Sequence, residues 1–151
     1  MRCVLQRVSR SSVSVGGRVV GAIETGLVAL IGVGHDDTSA DADAMARKIV
    51  SLRVFPDAAG RMNLSVADVG GGVLVVSQFT LLADVRKGRR PSLAAAAEPD
   101  AAQPLVEQVA AGIEAVGVHV ERGTFGRLME VELINHGPVT VVLEVAGGRV
   151  A

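Results

Sequence analysis

Two unbroken apolar runs limit what this chain can fold into. Residues 26–33 read GLVALIGV, and residues 73–76 read VLVV. A strand that is apolar on both sides requires that both faces of its sheet be covered. Aromatic residues make up only 2% of the chain, so the core must consist of Val, Leu, Ile and Ala, a composition that favours strands. The two runs therefore predict buried strands in a layered fold.

The first half of the chain predicts strands followed by a helix. Residues 3–15 are predicted as a strand, a break and a second strand, with a hairpin turn at residues 16–17. Helical spacing of apolar residues begins after Thr38, which suits a helix cap. A second helix is predicted to begin at Pro99.

The C-terminal part predicts strands again. Residues 129–135 alternate apolar and polar side chains, and residues 139–145 are mostly apolar, so both read as strands that the intervening His-Gly-Pro separates. Two helices against many strands predict a single layered α/β domain.

Charge and cysteine content restrict the class of protein. The 151 residues suit one domain, and a net charge of −1 means that any nucleic-acid contact must depend on a local basic cluster. Cys3 is the only cysteine, so no intrachain disulfide can form. The first ten residues do not resemble a signal peptide, and no apolar stretch reaches membrane-spanning length. We therefore expect a soluble, cytoplasmic domain that does not bind a membrane.

The common catalytic signatures are absent. The chain has no G-x-S-x-G, H-E-x-x-H, Walker loop or paired C-x-x-C. His35, His119 and His136 are too scattered to predict a metal site, and His119 is expected to be structural or solvated. We therefore expect no metal and no cofactor.

Polar residues end the second apolar run. Ser77, Gln78 and Thr80 follow directly after it. Such side chains can simply bond nearby backbone. A hydroxyl nucleophile would need a base within reach, and no neighbour in the sequence must serve as one. Amide and hydroxyl donors at a strand end can also stabilise an oxyanion.

Two further segments are candidates for binding. Arg86, Lys87, Arg89 and Arg90 form a basic cluster that is either a solvated loop or a phosphate-contacting rim. In the segment NHGPVT, residues 135–140, a cis Gly-Pro bond would present two carbonyl groups together, and paired carbonyls suit a protonated amino group.

Four segments in the same order and spacing resemble the D-aminoacyl-tRNA deacylase family. They are SQFTL (77–81), KGRRPS (87–92), GTFGRLMEVEL (123–133) and NHGPVT (135–140). The resemblance covers residues 1–145 and leaves 146–151 as a short C-terminal tail. It implies mixed, barrel-like β-sheets with two main helices packed on one side.

The resemblance also implies the reaction and the site. The family hydrolyses the ester that joins a D-amino acid, or glycine, to the 3′ end of tRNA, and it acts as a homodimer with sites at the subunit interface. Ser77, Gln78, Phe79 and Thr80 are expected to line the scissile ester. Because the 2′-hydroxyl of the terminal adenosine is implicated in the family's chemistry, no protein nucleophile is required.

The resemblance assigns binding roles to four more residues. The carbonyl groups of Gly137 and Pro138, joined by a cis bond and reaching in from the partner subunit, are expected to hold the substrate amino group and to exclude an L side chain. Phe125 and Met129 match positions of the pocket for the terminal adenosine.

Two residues depart from the family's pattern. His136 stands where Asp is common, and Leu93 stands where Phe is common. Ser77, rather than Pro, before Gln78 argues against the related subfamily that has a trans Gly-Pro bond.

Two other functions remain open from the sequence. A serine-type esterase would use Ser77 or Thr80 as nucleophile and His136 as base. A tRNA-binding module without catalysis would depend on residues 86–90.

Overall fold

A curled, seven-stranded mixed sheet organises the computed structural model, which describes residues 1–151. The strands are β1 (Arg2–Val15), β2 (Arg18–Ile23), β3 (Gly26–Gly32), β4 (Phe55–Pro56), β5 (Met62–Leu64), β6 (Gly72–Ser77), β7 (His119–Arg122), β8 (Glu130–Ala146) and β9 (Arg149–Val150). The helices are α1 (Ser39–Ser51) and α2 (Pro99–Glu114), with a 3-10 helix at Phe79–Leu82.

The strands of the main sheet follow the order β7-β6-β3-β1-β8-β9, and β2 pairs with β1. The pairs β3–β6 and β6–β7 are parallel, whereas β1 pairs antiparallel with β2, β3 and β8. Strands β4 and β5 form a separate hairpin. The two apolar runs are the neighbouring strands β3 and β6, both buried as predicted.

Two clusters of buried side chains cover the two faces of the sheet. The larger, with 26 residues, joins the sheet to both helices. The smaller, with six residues, contains no helical residue and lies where β2 packs against β6 and β7. The sheet therefore curls on one face and carries both helices on the other, which confirms the predicted barrel-like α/β fold.

The helices begin where the sequence predicts. Thr38 is the N-cap of α1, and its N–H and hydroxyl donate to the Asp41 carboxylate at 2.8 and 2.9 Å. Helix α2 begins at Pro99, whose fixed φ suits the first turn.

The predicted break between residues 3 and 15 is wrong, because β1 is one continuous strand. Its pairing with β8 shifts near Val8, where a bulge accommodates the extra residues. The polar side chain of Ser11 is buried and donates to the Glu132 carbonyl oxygen at 2.7 Å. That bond satisfies the Ser11 hydroxyl where β1 pairs with β8.

The predicted separation at His-Gly-Pro is also wrong, because β8 runs through it. Gln6 pairs with Thr140 and Val8 with Asn135, so residues 136–139 bulge out opposite a single residue of β1. Asn135 closes the bulge: its Oδ1 accepts from Val139 N–H at 2.7 Å, and its Nδ2 donates to Thr140 Oγ1 at 2.9 Å. Because both flanks keep their pairing with β1, the strand continues.

Residues 146–151, the tail in the sequence analysis, fold back on the domain. Strand β9 pairs with the end of β8, and the Gly148 N–H donates to Asp41 Oδ1 at 2.8 Å. None of the helices has the length and apolar character needed to cross a membrane.

Candidate active site

The polar end of β6 lies against the end of β3. The Gln78 N–H donates to the Ile31 carbonyl oxygen at 2.7 Å, which extends the parallel pairing by one residue before the 3-10 helix begins. A Cβ at Gly32 would lie 2.9 Å from the Gln78 carbonyl oxygen. A glycine at this point therefore lets the 3-10 helix pack directly on β3.

The 3-10 helix exposes polar groups at its start. Gln78 is its N-cap, so the N–H groups of Phe79 and Thr80 have no acceptor within the helix. Gln78 Nε2 donates to Thr80 Oγ1 at 2.5 Å. This arrangement offers two backbone donors and one fixed hydroxyl at the surface.

A cavity of about 520 Å³ opens beside this strand end. Residues from four separate segments line it: Ile31, Val33, Ser77, Gln78, Phe79, Leu93, Ala96, Ala97, Glu98, Pro99, Ala102, Val106, Phe125, Gly126, Arg127, Leu128 and Met129. Five residues that the sequence assigned to the site, Ser77, Gln78, Phe79, Phe125 and Met129, thus meet in one apolar pocket. Thr80, which directly follows Phe79 in the chain, does not line the cavity.

The segment between β7 and β8 forms one wall. The Gly123 N–H donates to the Val75 carbonyl oxygen of β6 at 2.9 Å, and the Arg127 N–H closes a turn onto the Thr124 carbonyl oxygen at 3.2 Å. These bonds bring Phe125 and Met129 to a strand that lies some fifty residues earlier.

Residues 93–97 form the opposite wall. The Ala97 N–H donates to the Val33 carbonyl oxygen at 2.9 Å, and His35 Nε2 donates to the Ala94 carbonyl oxygen at 2.8 Å. This role of His35 could not be predicted, because a lone histidine after a strand carries no signal in the sequence that would reveal it.

The cavity contains no hydroxyl that is hydrogen-bonded to a base, since the side chains of Ser77 and Glu98 both line it but do not bond to each other. No histidine lines it, and His136 lines a separate cavity of about 310 Å³ together with Arg7. Burial raises the pKa of the Cys3 thiol to about 12, so this thiol stays protonated at neutral pH. No three His, Cys, Asp or Glu side chains lie together as a metal site would need.

Gly137 and Pro138 lie outside the 520 Å³ cavity, exposed in the bulge of β8. The peptide bond between them is cis. Arg7, itself buried, anchors the bulge: its Nε donates to the His136 carbonyl oxygen at 2.7 Å and its Nη1 to the Val54 carbonyl oxygen at 2.6 Å. Sequence reasoning gave Arg7 no role, since the residue it holds is more than a hundred positions away.

The basic cluster forms an exposed loop that a bridge between Asp84 and Ser92 closes. Arg86 donates to Asp84 at 2.6 and 2.9 Å, and these bonds raise the pKa of Arg86 and lower that of Asp84. Lys87, Arg89 and Arg90 make no ion pair. Three of the four predicted cations are therefore free, and the charge of Arg86 is paired within the chain.

Comparison with known sequences supports one family. Residues 4–144 match the family described as D-Tyr-tRNA(Tyr) deacylase. A relative from Koribacter versatilis (strain Ellin345), named D-aminoacyl-tRNA deacylase, is 57% identical over 144 residues, which cover 95% of this chain and 97% of the relative. A protein of the same name from Thermus aquaticus is 56% identical over 144 residues, 95% of each chain.

Solved structures show the same architecture. The c-Myc DNA unwinding element binding protein superposes with a TM-score of 0.90 at 38% identity, covering 95% of this chain and 98% of that one. A probable eukaryotic D-amino acid tRNA deacylase superposes with a TM-score of 0.79 at 16% identity, covering 93% and 97%. At that identity, the second comparison shows the shared fold alone.

Proposed function

This chain belongs to the D-Tyr-tRNA(Tyr) deacylase family, and on that basis we propose how its cavity selects and cleaves a substrate. The protein is a D-aminoacyl-tRNA deacylase, a hydrolase that acts on the ester bond between a D-amino acid and tRNA. One observation carries the detailed proposal: Ser77, Gln78 and Phe79 line the same apolar cavity as Phe125 and Met129.

The cavity binds the terminal adenosine of tRNA. Phe125 and Met129 supply apolar surface for the base, because a flat π-system packs well on aromatic and thioether groups. The ester then lies at the mouth formed by Ser77, Gln78 and Phe79. The remainder of the tRNA stays outside, where Lys87, Arg89 and Arg90 contact phosphates.

Hydrolysis proceeds by attack of water on the ester carbonyl. The bond between the carbonyl carbon and the 3′ oxygen breaks, the 3′ oxygen takes up a proton, and the products are the D-amino acid and tRNA. The N–H groups of Phe79 and Thr80 stabilise the negative charge that develops on the carbonyl oxygen. The 2′-hydroxyl of the adenosine assists the proton transfer, so neither Ser77 nor Thr80 acts as nucleophile.

Gly137 and Pro138 of a second copy of the chain discriminate between D and L substrates. Their segment is exposed, lies outside the chain's own cavity and is anchored by Arg7, as a group that serves a partner needs to be. Two carbonyl oxygens hold the substrate amino group while the mouth holds the ester. With both substituents set, an L side chain points into backbone atoms, which no rotamer change can move. Glycine has no side chain to clash and is accepted.

A deacylation assay with matched substrates tests the proposal. One tRNA is charged with the D and the L form of the same amino acid, and tRNA-Ala charged with glycine is the third substrate. We expect rapid release from the D substrate, some release from glycyl-tRNA and very little from the L substrate. Comparable rates with the D and L forms would contradict the proposed exclusion.

A further inference from the structure

We propose that residues 127 and 128, at the mouth of the cavity, bind the nucleotide that precedes the terminal adenosine. Arg127 contacts the phosphate that joins the two nucleotides, and Leu128 packs with Phe79 on the preceding base. The inference rests on the proposed function, because it requires that the cavity hold the terminal adenosine.

The position of the turn supports this assignment. Gly126, Arg127 and Leu128 line the cavity directly between Phe125 and Met129, the two residues that would hold the adenine. A nucleoside enclosed there has its 5′ oxygen at the opening, since the chain that continues from it must leave the cavity. The first phosphate therefore lies near this turn, which the bond from Arg127 N–H to the Thr124 carbonyl oxygen (3.2 Å) keeps in place.

The guanidinium of Arg127 is free to bind an anion. The Arg127 side chain is exposed, and it makes no hydrogen bond and no ion pair within the chain. By contrast, Arg122 in the preceding strand is forked onto Glu107 and Glu114 at 2.8 Å each. A planar guanidinium without a carboxylate partner suits a phosphodiester. Glu98 lines the cavity as well, but its carboxylate forms no ion pair with Arg127.

Apolar surface flanks this cation. Leu128 is 91% exposed and Phe79 is 56% exposed, although both line the cavity. Proteins that bind single-stranded nucleic acid combine positive charge for the backbone with exposed aromatic rings on which bases stack, as Phe79 could provide here. Arg127, Leu128 and Phe79 together offer a cation and apolar surface in the wall of one cavity. This combination favours a nucleotide over a simple anion.

Two non-cleavable mimics test the inference without depending on turnover. In both, an amide replaces the ester that joins the D-amino acid to the 3′ position. One mimic ends at adenosine, and the other also carries the preceding nucleotide. We expect the added nucleotide to raise affinity about tenfold or more, because it adds a charge-assisted hydrogen bond.

Variants assign that gain to the turn. Arg127→Ala should remove most of the gain and leave affinity for the adenosine mimic within about twofold, whereas Leu128→Ser should remove part of it. Arg47→Ala is the matched control, since Arg47 is also exposed and unpaired but lies on α1, away from the cavity. It should leave the gain unchanged.

The inference is overturned if wild-type protein binds both mimics equally well. It is also overturned if Arg127→Ala weakens both mimics by the same factor, which would show a role inside the cavity or in folding. Failure of the proposed function looks different: wild-type protein would then release no D-amino acid from charged tRNA.

Discussion

Thr80 is held by a neighbouring amide rather than by a base. Gln78 Nε2 donates to its hydroxyl oxygen at 2.5 Å, and no histidine lines the adjoining cavity. A serine or threonine nucleophile needs a base that removes its proton. Within one chain, the esterase alternative with His136 as base is therefore not assembled, because His136 lies in another cavity.

Thr80→Ala should keep substantial activity. If the tRNA hydroxyl assists the reaction, the substitution removes one polar contact and lowers the rate by about tenfold at most. Loss of a true nucleophile would lower it by roughly three powers of ten or more. Single-turnover deacylation of D-aminoacyl-tRNA measures the difference. A variant that binds tRNA normally yet is inert, together with covalent labelling of Thr80 by a hydroxyl-directed probe, would favour the esterase.

Gly137 occupies a conformation that other residues rarely adopt. Its φ is 146°, and an added Cβ would lie 2.7 Å from Val139 Cγ2 and 3.0 Å from Arg7 Nη2. A methyl group there would push the bulge away from the arginine that anchors it.

Gly137→Ala should therefore abolish most of the activity, and the backbone strain should cost about 1–3 kcal/mol of stability. Gly60→Ala is the matched control, since Gly60 also has a positive φ (77°) but has nothing within 4 Å of its added Cβ. The control should lose stability and keep its rate of deacylation. Full activity in Gly137→Ala would contradict the assigned role of the bulge.

Helix α1 begins at a buried carboxylate. Asp41 is 1% exposed and accepts from the Gly148 N–H and from the N–H and hydroxyl of Thr38, at 2.8 to 2.9 Å. The bond from Gly148, followed by those from Thr38, lowers the pKa of Asp41 although burial acts in the opposite direction. The start of α1 and the C-terminal hairpin are thereby joined through one side chain.

The contribution of Asp41 should depend on pH with a definite sign. Because the pKa of Asp41 is lower in the folded state, the folded protein binds fewer protons than the unfolded chain at pH values between the two pKa values. The free energy of unfolding therefore rises with pH between the folded and the unfolded pKa. The stabilisation is complete above the unfolded pKa of about 3.9 and is lost as the pH falls through the lower folded pKa. Asp41→Asn should cost about 1–3 kcal/mol near neutral pH, since an amide leaves donors unsatisfied.

Urea unfolding of wild type and Asp41→Asn across this range checks the sign. The difference in stability should shrink as the pH falls below about 4. A difference that stays constant from neutral to acidic pH would show that the carboxylate charge is not responsible.

One of the four cations in the basic loop is already neutralised within the chain. Arg86 is paired with Asp84, whereas Lys87, Arg89 and Arg90 are exposed and unpaired. Contacts to phosphates release counterions, so each one adds to the salt dependence of tRNA binding.

Changing Arg89 and Arg90 to Ala should weaken binding about equally for different tRNAs and reduce the salt slope by roughly one for each phosphate that the loop no longer neutralises. Arg86→Ala should change the slope less, because Asp84 already neutralises that charge. Binding constants measured over a series of salt concentrations give the slope. An unchanged slope in the double variant would assign the loop to the solvated surface.

The molecule as a whole exposes apolar residues on β8, which carries the Gly-Pro bulge, and on β2, which pairs with β1. Val19 and Val20 of β2 and Val131, Ile134 and Val142 of β8 are exposed, with Val142 at 62%. The proposed role of Gly137 and Pro138 requires a two-fold dimer in which each bulge reaches the partner's cavity, and such a contact would bury apolar residues that one chain leaves exposed. This is the assembly that the proposed chirality test requires.

Complementation between two defective variants tests the assembly. Gly137→Ala alters the bulge and Phe125→Ala alters the cavity, so each homodimer should be nearly inactive. In a purified heterodimer, one site combines an intact cavity with an intact bulge, and about half of the wild-type activity should return. A heterodimer as inactive as the two variant homodimers would exclude the shared site. So would a protein that sediments as a monomer and is fully active in the deacylation assay.

The sequence by itself determined those features that depend on neighbouring residues. The apolar runs became β3 and β6, Thr38 capped α1, and Pro99 began α2. Each of these signals lies within a few positions of the element it specifies, because propensity, capping and burial pattern act locally. The motif segments also contain eight of the 17 residues that line the cavity.

Only the tertiary structure decided which segments meet. The strands β1 and β8 stay continuous because each pairs on both sides of its bulge, although their sequences predict breaks. Ser77 and Phe125 share a cavity because the chain after β7 bonds back to β6 through the Gly123 N–H. The bond from the Ala97 N–H to the Val33 carbonyl oxygen, which closes the opposite wall of the cavity, likewise joins segments that no local pattern connects. Contacts between distant segments are set by strand register and loop closure, and these belong to the fold as a whole.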